Sequence, residues 1–436
     1  MPLTGWGRVP VVEGQEIRSE RLGDITASLP LTRGLGRAYG DAALPAPGDR
    51  TVAGSTLADR IRAFDPATGV LHAEAGFSLD QLYRVLLPRG WYTPVSPGTR
   101  FVTLGGMVAA DVHGKNHHRE GCIGEHVRRL TLRVADGRFV SCSREVEPDL
   151  FRATLGGMGL TGHILDVELQ LARVPSPWIF QQAERIPDID TFVDRLKDAA
   201  HAWPMTVGWI DAVAQGPTLG RGVLLCGRWA EPHEAPRAFP RLRRPVTLPF
   251  DLPRSVLSRS VVRLFNEGYY RHSPARVTQS IVSPEAFLYP LDAIGAWNRA
   301  YGRNGFVQYQ CVLPESAGAP GVRAFMDVVA RQGRASFLSV IKDCGPEGTG
   351  TLSFPLQGMS VALDIPYDGV TQALVNEMNR VVIEQGGRIY LAKDALTRAE
   401  DFRAMEPRLQ TFLDVRRTWD PAGRIRSAQS VRLFGW

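Results

Sequence analysis

The stretch Phe306-Val307-Gln308-Tyr309-Gln310-Cys311-Val312-Leu313 opens the most regular part of the chain and predicts a β-strand. Two further strands are predicted at 336–342 and 359–365, and a short last strand at 388–391 follows the glycine pair 386–387. Helices are predicted between them from apolar residues at helical spacing. These residues are Val322, Phe325, Met326 and Val329 in the first helix, and Leu374, Met378, Val381 and Val382 in the second. The order β-α-β-β-α-β is that of split βαβ units in an antiparallel sheet covered by two helices, so the predicted fold class is α+β.

One face of this predicted sheet carries polar side chains. Because side chains alternate along a strand, Gln308 and Gln310 share a face. Ser360 and Ala362 give the strand 359–365 a small, polar face, and Lys342 ends the neighbouring strand. If this face lines a cavity, its amide groups suit the hydroxyl groups of a sugar; if it faces solvent, the glutamines are ordinary surface residues. Both interpretations are open at this point.

Lys393 follows the last predicted strand of the sheet. A lysine that loses water at this position has a lowered pKa and accepts a proton near neutral pH, so Lys393 is the candidate general base. The alternative roles are an ion pair with Asp394 or a contact with a substrate phosphate.

Upstream of this sheet the chain changes character twice. Residues 165–171 alternate apolar and polar side chains and predict a half-buried strand, and the prolines at 175 and 177 mark a domain boundary. Asp190 is predicted to cap a helix whose apolar face is formed by Phe192, Val193, Leu196 and Ala200. Residues 231–260 have little periodicity and predict a long mobile loop. The loop contains six prolines and the arginines Arg237, Arg241, Arg243, Arg244, Arg254 and Arg259.

Four glycine-bearing segments lie in the first 162 residues, at 33–41, 97–106, 113–118 and 154–162. Closely spaced glycines let backbone N–H groups approach an anion and form concave phosphate-binding turns. Each segment alone fits a structural turn equally well, and none matches a Walker A or a GxGxxG pattern. Four such loops in one domain favour an extended polar ligand.

Composition excludes several classes of protein. The 436 residues are 44% hydrophobic and 22% charged, which is typical of a globular chain with two domains, and no apolar run is long enough for a membrane helix. Five dispersed cysteines give no disulfide or zinc spacing and favour a reducing compartment. The net charge of +6 is no nucleic-acid signature. His113, His117 and His118 have no acidic or cysteine partner at ligand spacing, so no metal site is predicted.

A family resemblance rests on several motifs in the same order along nearly the whole chain. They are Thr4–Arg8, Arg33–Asp41, Pro97–Arg100, His113–His118, Trp297–Gly302, Gln308–Gln310 and Ala392–Asp394. Together they resemble the decaprenylphosphoryl-ribose 2′-oxidases, flavoproteins of the vanillyl-alcohol-oxidase superfamily. The resemblance implies a PCMH-type FAD-binding domain at 1–175, a substrate-binding domain at 176–392, and a segment 393–436 that returns to the FAD domain.

The resemblance also assigns roles to individual residues. Lys393 is implied to be catalytic, with His113 as the second candidate. The implied cofactor-binding residues are Arg33, Gly34, Leu35, Gly36, Arg37, Ala38, Tyr39, Gly40, Asp41, Gly98, Thr103, Leu104, Gly105, Gly106, His113, Gly114, Lys115, Asn116, Ile164 and Tyr390. The implied substrate-binding residues are Gln308, Gln310, Lys342, Ser360 and Arg299. Many relatives in the superfamily have a flavin-linked histidine where this chain has Tyr39, so non-covalent FAD is expected.

The expected activity is oxidation of the 2′-hydroxyl of a polyprenyl-phosphoryl ribose, the first half of a ribose-to-arabinose epimerisation. A short-chain NAD(P)H reductase is the expected partner, and the cytoplasm, with peripheral contact at the inner membrane through the 231–260 loop, is the expected location. A solvated loop is the alternative for that segment. Ser360, Ala362 and Leu288 depart from the family's pocket, which keeps a soluble sugar, alditol or aldonolactone open as the substrate. The third interpretation of the sequence is a non-catalytic protein that binds anionic surfaces.

Overall fold

The computed structural model describes residues 2–242, 245–334 and 336–435. The N-terminal part contains twelve short strands and five helices within those ranges. The strands are β1 (Pro2–Thr4), β2 (Val11–Glu13), β3 (Gln15–Arg18), β4 (Thr32–Arg33), β5 (Thr51–Gly54), β6 (Ile61–Asp65), β7 (Val70–Glu74), β8 (Trp91–Tyr92), β9 (Val127–Arg133), β10 (Phe139–Ser143), β11 (His163–Gln170) and β12 (Ala172–Arg173). The helices are α1 (Leu22–Ile25), α2 (Leu79–Val85), α3 (Leu104–Ala109), α4 (His117–Glu120) and α5 (Pro148–Thr154).

Two sheets organise this N-terminal part. Strands β3, β5 and β4 form a small parallel sheet in the order β3-β5-β4, and five antiparallel strands follow the order β10-β9-β11-β7-β6. In β11, Val167 and Leu169 are buried while Asp166, Glu168 and Gln170 are half-buried, which confirms the predicted half-buried strand. The parallel sheet ends directly before the glycine loop 34–41, so it fixes where that loop begins.

The second part is built on one large sheet. The strands of this second part are β13 (Ile179–Ile186), β14 (Met205–Ile210), β15 (Gly222–Trp229), β16 (Val246–Thr247), β17 (Thr278–Val282), β18 (Ile294–Gly295), β19 (Phe306–Pro314), β20 (Ser339–Cys344), β21 (Gly358–Pro366) and β22 (Arg388–Ile389), of which β16 and β18 form a separate parallel pair. Its helices are α6 (Ile189–Ala202), α7 (Arg259–His272), α8 (Pro284–Leu288), α9 (Gly318–Gln332) and α10 (Thr371–Glu384). Eight of these strands pair antiparallel in the order β17-β13-β15-β14-β20-β21-β19-β22.

The predicted β-α-β-β-α-β order is confirmed from β19 to β22. The apolar face of this half-sheet packs against α9 and α10, where Tyr309 stacks on Phe325 at 6.0 Å between ring centroids and donates a hydrogen bond to Asn379 Oδ1 at 2.8 Å. The two halves of the sheet meet where β14 pairs with β20. The fold is therefore α+β, as predicted.

Two local predictions are corrected. The cap of α6 is Asp188, whose carboxylate accepts the Thr191 N–H at 2.9 Å, and not Asp190, which lies inside the helix and pairs with Arg323. The described part of 231–260 is largely irregular apart from β16 and a 3₁₀ turn at Arg254–Leu257, but Arg259 begins the helix α7. Arg243 and Arg244, named in the predicted loop, lie outside the described residues.

The C-terminal segment contains α11 (Ala399–Met405), α12 (Leu409–Trp419) and α13 (Ala428–Phe434). Arg432 on α13 binds the carboxylates of both Asp41, in the glycine loop, and Asp394, beside Lys393, with the shortest N–O distance at 2.7 Å in each pair. Both carboxylates are buried. Arg432 therefore joins the C-terminal helix to the two loops on which the candidate site depends. None of the helices within the described ranges combines the length and apolarity that a membrane crossing needs.

Replacing Arg432 with Met should lower the free energy of unfolding by about 3–5 kcal/mol, because it leaves two buried carboxylates without their cation. Urea unfolding followed by fluorescence measures the change. The matched control is Arg417→Met, which removes an exposed pair with Asp414 and should cost at most about 1 kcal/mol. Equal losses in the two variants would show that Arg432 is an ordinary surface residue.

Candidate active site

The glycine loop 34–41 leaves the edge of the parallel sheet with unpaired backbone donors. Gly36 has a φ of +63°, which a side chain with a Cβ rarely adopts. Within the described residues, the N–H groups of Leu35, Gly36, Arg37 and Ala38 donate to no protein acceptor. Consecutive free N–H groups in a turn suit the oxygens of a phosphate or pyrophosphate. This loop therefore fits the pyrophosphate of a dinucleotide.

The arginines of this loop have different surroundings. Arg33 folds back on the protein and donates to the carbonyls of Thr4 at 2.7 Å and Ala43 at 3.1 Å, so its side chain braces the loop. Arg37 lies over the ring of Trp6, with 3.9 Å from Cζ to the centroid, and its buried Nε has no hydrogen-bond partner within the described residues. Of the two, Arg37 is the one with a donor left for a ligand.

Two glycines of the other loops lie beside open space. A Cβ added at Gly98 or at Gly159 would meet no atom within 4 Å. Thr103 caps α3 by accepting the Gly106 N–H at 3.2 Å, which fixes the 103–106 turn. Space at glycines, a capped turn and free N–H groups together form a cradle that fits an extended, phosphate-bearing cofactor.

The polar face of the large sheet is assembled by strand register. Gln308 on β19 lies directly opposite Asp364 on β21, Gln310 lies opposite Ala362, and Lys342 on β20 lies opposite Ser360. Gln310 donates to Ser360 Oγ at 3.1 Å. The predicted neighbours on this face do lie together, and Asp364 extends their row by one more position.

His113 joins this face to the N-terminal part of the chain. Its Nδ1 lies 3.1 Å from Lys342 Nζ, and its Nε2 lies 3.1 Å from Gln310 Nε2. Burial, the Lys342 charge and further nearby cations lower the pKa of His113 well below its usual value, so the imidazole is neutral. A neutral imidazole has a single acceptor nitrogen, so His113 accepts either from the Lys342 amine at Nδ1 or from the Gln310 amide at Nε2, according to its tautomer.

Lys393 lies in a turn held from both sides. The Tyr390 N–H donates to the Gln310 carbonyl and the Tyr39 N–H donates to the Ala392 carbonyl, each at 2.9 Å. The Lys393 amine lies 3.9 Å from the centroid of the Tyr39 ring. The turn thus places the amine between the glycine loop and the polar face of the sheet.

Asp364 is the buried carboxylate of this site. It accepts hydrogen bonds from Gln308 Nε2 at 2.5 Å and from the Tyr301 hydroxyl at 3.0 Å. Burial raises the pKa of Asp364 and lowers the pKa of Lys393, while the attraction between the two groups opposes both shifts. The sequence analysis missed Asp364 and Tyr301 as site residues, although the alternation of Ser360, Ala362 and Asp364 carried the signal for the first.

Three lysines give the site a positive charge. Burial lowers the pKa of Lys115 to about 7 and of Lys342 to about 8, and the charge of Lys342 further lowers the pKa values of Lys115 and Lys393. Lys115 donates to the Leu288 carbonyl at 2.9 Å. Cations that repel one another in a buried site favour an anionic ligand.

Other predicted site residues have structural partners. Asp41 is bound by Arg432, and Arg299 donates to the carbonyls of Leu248 and Pro249 at 2.7 and 2.9 Å, away from the polar face. Asn116 donates to the Pro94 carbonyl at 2.7 Å, and the Tyr390 hydroxyl donates to the Ala110 carbonyl at 2.9 Å. These contacts position the loops of the cradle. Leu104 and Ile164 are buried among apolar residues, and their binding roles stay predictions.

The two other histidines of the 113–118 loop are structural. His117 Nδ1 accepts the Gly345 N–H at 3.0 Å, and His118 Nε2 lies 2.8 Å from the Trp203 carbonyl. Among the described residues no three His, Cys, Asp or Glu side chains are grouped to hold a metal ion.

Comparisons with known proteins agree with this geometry. The family model of the FAD binding domain matches residues 29–143, which include the glycine loop and the 97–106 turn. Decaprenylphosphoryl-β-D-ribose oxidase of Mycolicibacterium smegmatis is 36% identical over 99% of this chain and 97% of its own length. An uncharacterized protein of Streptomyces coelicolor is 34% identical over 82% of this chain and 99% of its own length. A putative D-arabinono-1,4-lactone oxidase of Neurospora crassa is 32% identical over only 28% of this chain.

The cradle and the matched domain define an FAD-dependent oxidoreductase. The full-length match is more specific than the domain: the chain belongs to the decaprenylphosphoryl-β-D-ribose oxidase family.

Filling the space at Gly98 should weaken FAD binding without harming the fold. The added side chain of Gly98→Val meets no nearby protein atom at its Cβ, so the cost, about 1–3 kcal/mol, falls on the bound cofactor. We expect FAD affinity to fall by about tenfold or more in titrations of the apoprotein, with the melting temperature of the apoprotein unchanged. Gly369→Val, at another open glycine on an exposed turn, is the control and should keep the original affinity. Unchanged FAD affinity in Gly98→Val would place the cofactor elsewhere.

Proposed function

We propose that this enzyme oxidises the 2′-hydroxyl of a polyprenyl-phosphoryl ribose to a keto sugar. The full-length relationship to an oxidase named for decaprenylphosphoryl-β-D-ribose is the observation that carries this proposal. A short-chain NAD(P)H reductase would then reduce the keto sugar from the other face and complete an epimerisation to arabinose. The lactone oxidase relative matches only a quarter or so of the chain and gives no support for a soluble lactone as substrate.

The charge of the site supports a phosphorylated substrate. Burial lowers the pKa values of Lys115 and Lys342, and a phosphodiester brought next to these lysines would oppose that shift and keep both amines protonated. A neutral sugar or alditol offers no such compensation. The amides of Gln308 and Gln310 and the hydroxyl of Ser360 lie on the same face and suit the sugar hydroxyl groups.

Lys393 accepts the proton of the reacting hydroxyl group. Alcohol oxidation removes a proton from oxygen and a hydride from the attached carbon, and FAD supplies the hydride acceptor. Lys393 is half-buried and has a lowered pKa, so its neutral amine accepts a proton near neutral pH. Asp364 then stabilises the ammonium that forms. Gln308, which donates to Asp364, fixes the orientation of this carboxylate.

We propose that FAD is bound without a covalent link. Tyr39, at the position where superfamily members carry the flavin-linked histidine, is buried and packs edge-on against Phe306 at 5.6 Å. Burial raises the pKa of Tyr39 well above its usual value, so the phenol is a poor nucleophile. His113 has both ring nitrogens next to protein partners. We further propose that the enzyme works in the cytoplasm at the inner face of the membrane, where a lipid-linked substrate is found.

Lys393→Ala should keep FAD and its visible spectrum but slow flavin reduction at saturating substrate by about 100-fold or more, since a positioned base contributes about 10²–10⁴-fold. Anaerobic stopped-flow absorbance with a short-chain prenyl-phosphoryl ribose measures the rate. The wild-type rate should rise with pH as the amine loses its proton, and the variant should lose this rise. Lys197→Ala, at a surface lysine paired with Glu315, is the control. Fast reduction with weakened substrate affinity would make Lys393 a binding residue and leave His113 as the base.

Asp364→Asn tests the partner of that lysine. Removing the carboxylate removes the attraction that raises the pKa of Lys393, so the rising limb of the pH–rate profile should move to lower pH. Stopped-flow reduction across a pH series measures the shift, and FAD content reports whether the site is intact. A uniform loss of rate at every pH would contradict a role for Asp364 in setting the lysine.

A further inference from the structure

Helix α7 presents an unusual surface for a helix of a globular protein. One face is attached to the protein through the buried residues Val262 and Asn266, and Asn266 Nδ2 donates to Asp211 at 2.7 Å. The opposite face carries exposed apolar side chains. Leu264 is 75% exposed, Phe265 49% and Val261 44%. At helical spacing Leu264 points away from the attached face and Val261 lies next to it, while Phe265 lies at the edge of this stripe and its ring packs against Phe337 at 5.2 Å between centroids.

The exposed apolar residues of the described chain are concentrated in the stretch of sequence that contains this helix. More than half of the large apolar side chains that are exposed in the described residues lie between Phe239 and Ile294. Val246 and Phe250, in the segment that leads into α7, are 77% and 63% exposed. A large number of exposed apolar side chains in one segment is typical of a surface that binds a membrane or another protein.

Positive charge accompanies the apolar stripe. From Arg254 to Arg276 the chain has five arginines and one acidic residue, Glu267. Glu267 is already paired with Arg221 at 2.6 Å and Arg271 at 2.5 Å. Within the described part of the chain, Arg259, Arg263 and Arg276 have no acidic partner, so their charge is available to a ligand.

We propose that α7 is a membrane-docking helix that lies in the interface of an anionic phospholipid bilayer. Exposed Leu and Phe side chains would enter the acyl boundary while the unpaired arginines meet the phosphate headgroups, which is how interfacial amphipathic helices bind. A protein partner of complementary chemistry would need an acidic, apolar surface, whereas an anionic bilayer supplies both features everywhere. The stripe and the charge therefore point to a membrane.

The position of α7 connects membrane docking with the reaction site. This connection rests on the proposed lipid-linked substrate. Leu257, two residues before the helix, packs against an aromatic cluster formed by Tyr39, Trp297, Tyr301 and Phe306. Tyr39 in turn contacts the Lys393 amine. A helix docked on the bilayer would hold this apolar cluster, and the reaction site behind it, close to the surface from which a prenyl lipid is withdrawn.

Vesicle co-sedimentation of the holoenzyme tests the docking without any substrate. The probe is a vesicle of phosphatidylcholine with about one third phosphatidylglycerol, compared with pure phosphatidylcholine. The wild type should bind the anionic vesicles, and raised salt should weaken the binding. Leu264→Asp should reduce binding by about tenfold or more, and Arg263→Gln by about fivefold. Val146→Asp and Arg403→Gln, at exposed sites elsewhere, are the matched controls and should bind as the wild type does.

Two results would overturn the docking helix. One is wild-type protein that stays in solution with anionic vesicles, and the other is Leu264→Asp that binds them unchanged while a dimer seen by ultracentrifugation becomes monomeric. Flavin reduction by a water-soluble, short-chain substrate separates this proposal from the enzymatic one. It should be equal in the wild type and Leu264→Asp, and its absence from both would count against the proposed substrate and leave the vesicle result standing.

Discussion

The hydrogen bond from the Tyr39 N–H to the Ala392 carbonyl holds the two halves of the site together. It joins the glycine loop, which continues the small parallel sheet, to the turn that follows the last strand of the large sheet. Arg432 reinforces the same junction by binding a carboxylate from each side. Because Lys393 lies in this turn, these contacts fix the position of its backbone relative to the cofactor cradle.

The reactivity of this junction depends on its ionisable side chains. Three lysines and one buried carboxylate share a site that water only partly reaches, and burial shifts each of them toward its neutral form. Such an arrangement costs folding free energy, and sites of this kind are typically functional. It provides a neutral amine that accepts a proton and two further amines that an anionic substrate would stabilise. One set of residues thereby serves both proton transfer and substrate selection.

The sequence predicted those features that depend on local patterns. Alternation along 306–313 and 359–365 predicted both the strands and the common face of Gln308, Gln310 and Ser360, because side-chain direction in a strand has a period of two. The contacts of His113 with Gln310 and Lys342 join residues that are far apart in the chain, and no local pattern encodes them. The sequence analysis made no prediction for residues 261–272, which form most of α7, because the apolar residues of this helix are not confined to one face. The strands β13 to β15 were missed for the lack of a clear alternation.

The central claim is that the hydrogen at C2′ of a phosphorylated, lipid-linked ribose leaves in the step that reduces the flavin. Anaerobic stopped-flow reduction with substrate deuterated at C2′ tests this directly, with substrate deuterated at C3′ as the control. The account predicts full reduction with a primary isotope effect of several-fold for the C2′ label and none for the C3′ label. An isotope effect that follows the C3′ label, or equally fast reduction by ribose that lacks both phosphate and lipid, would contradict it.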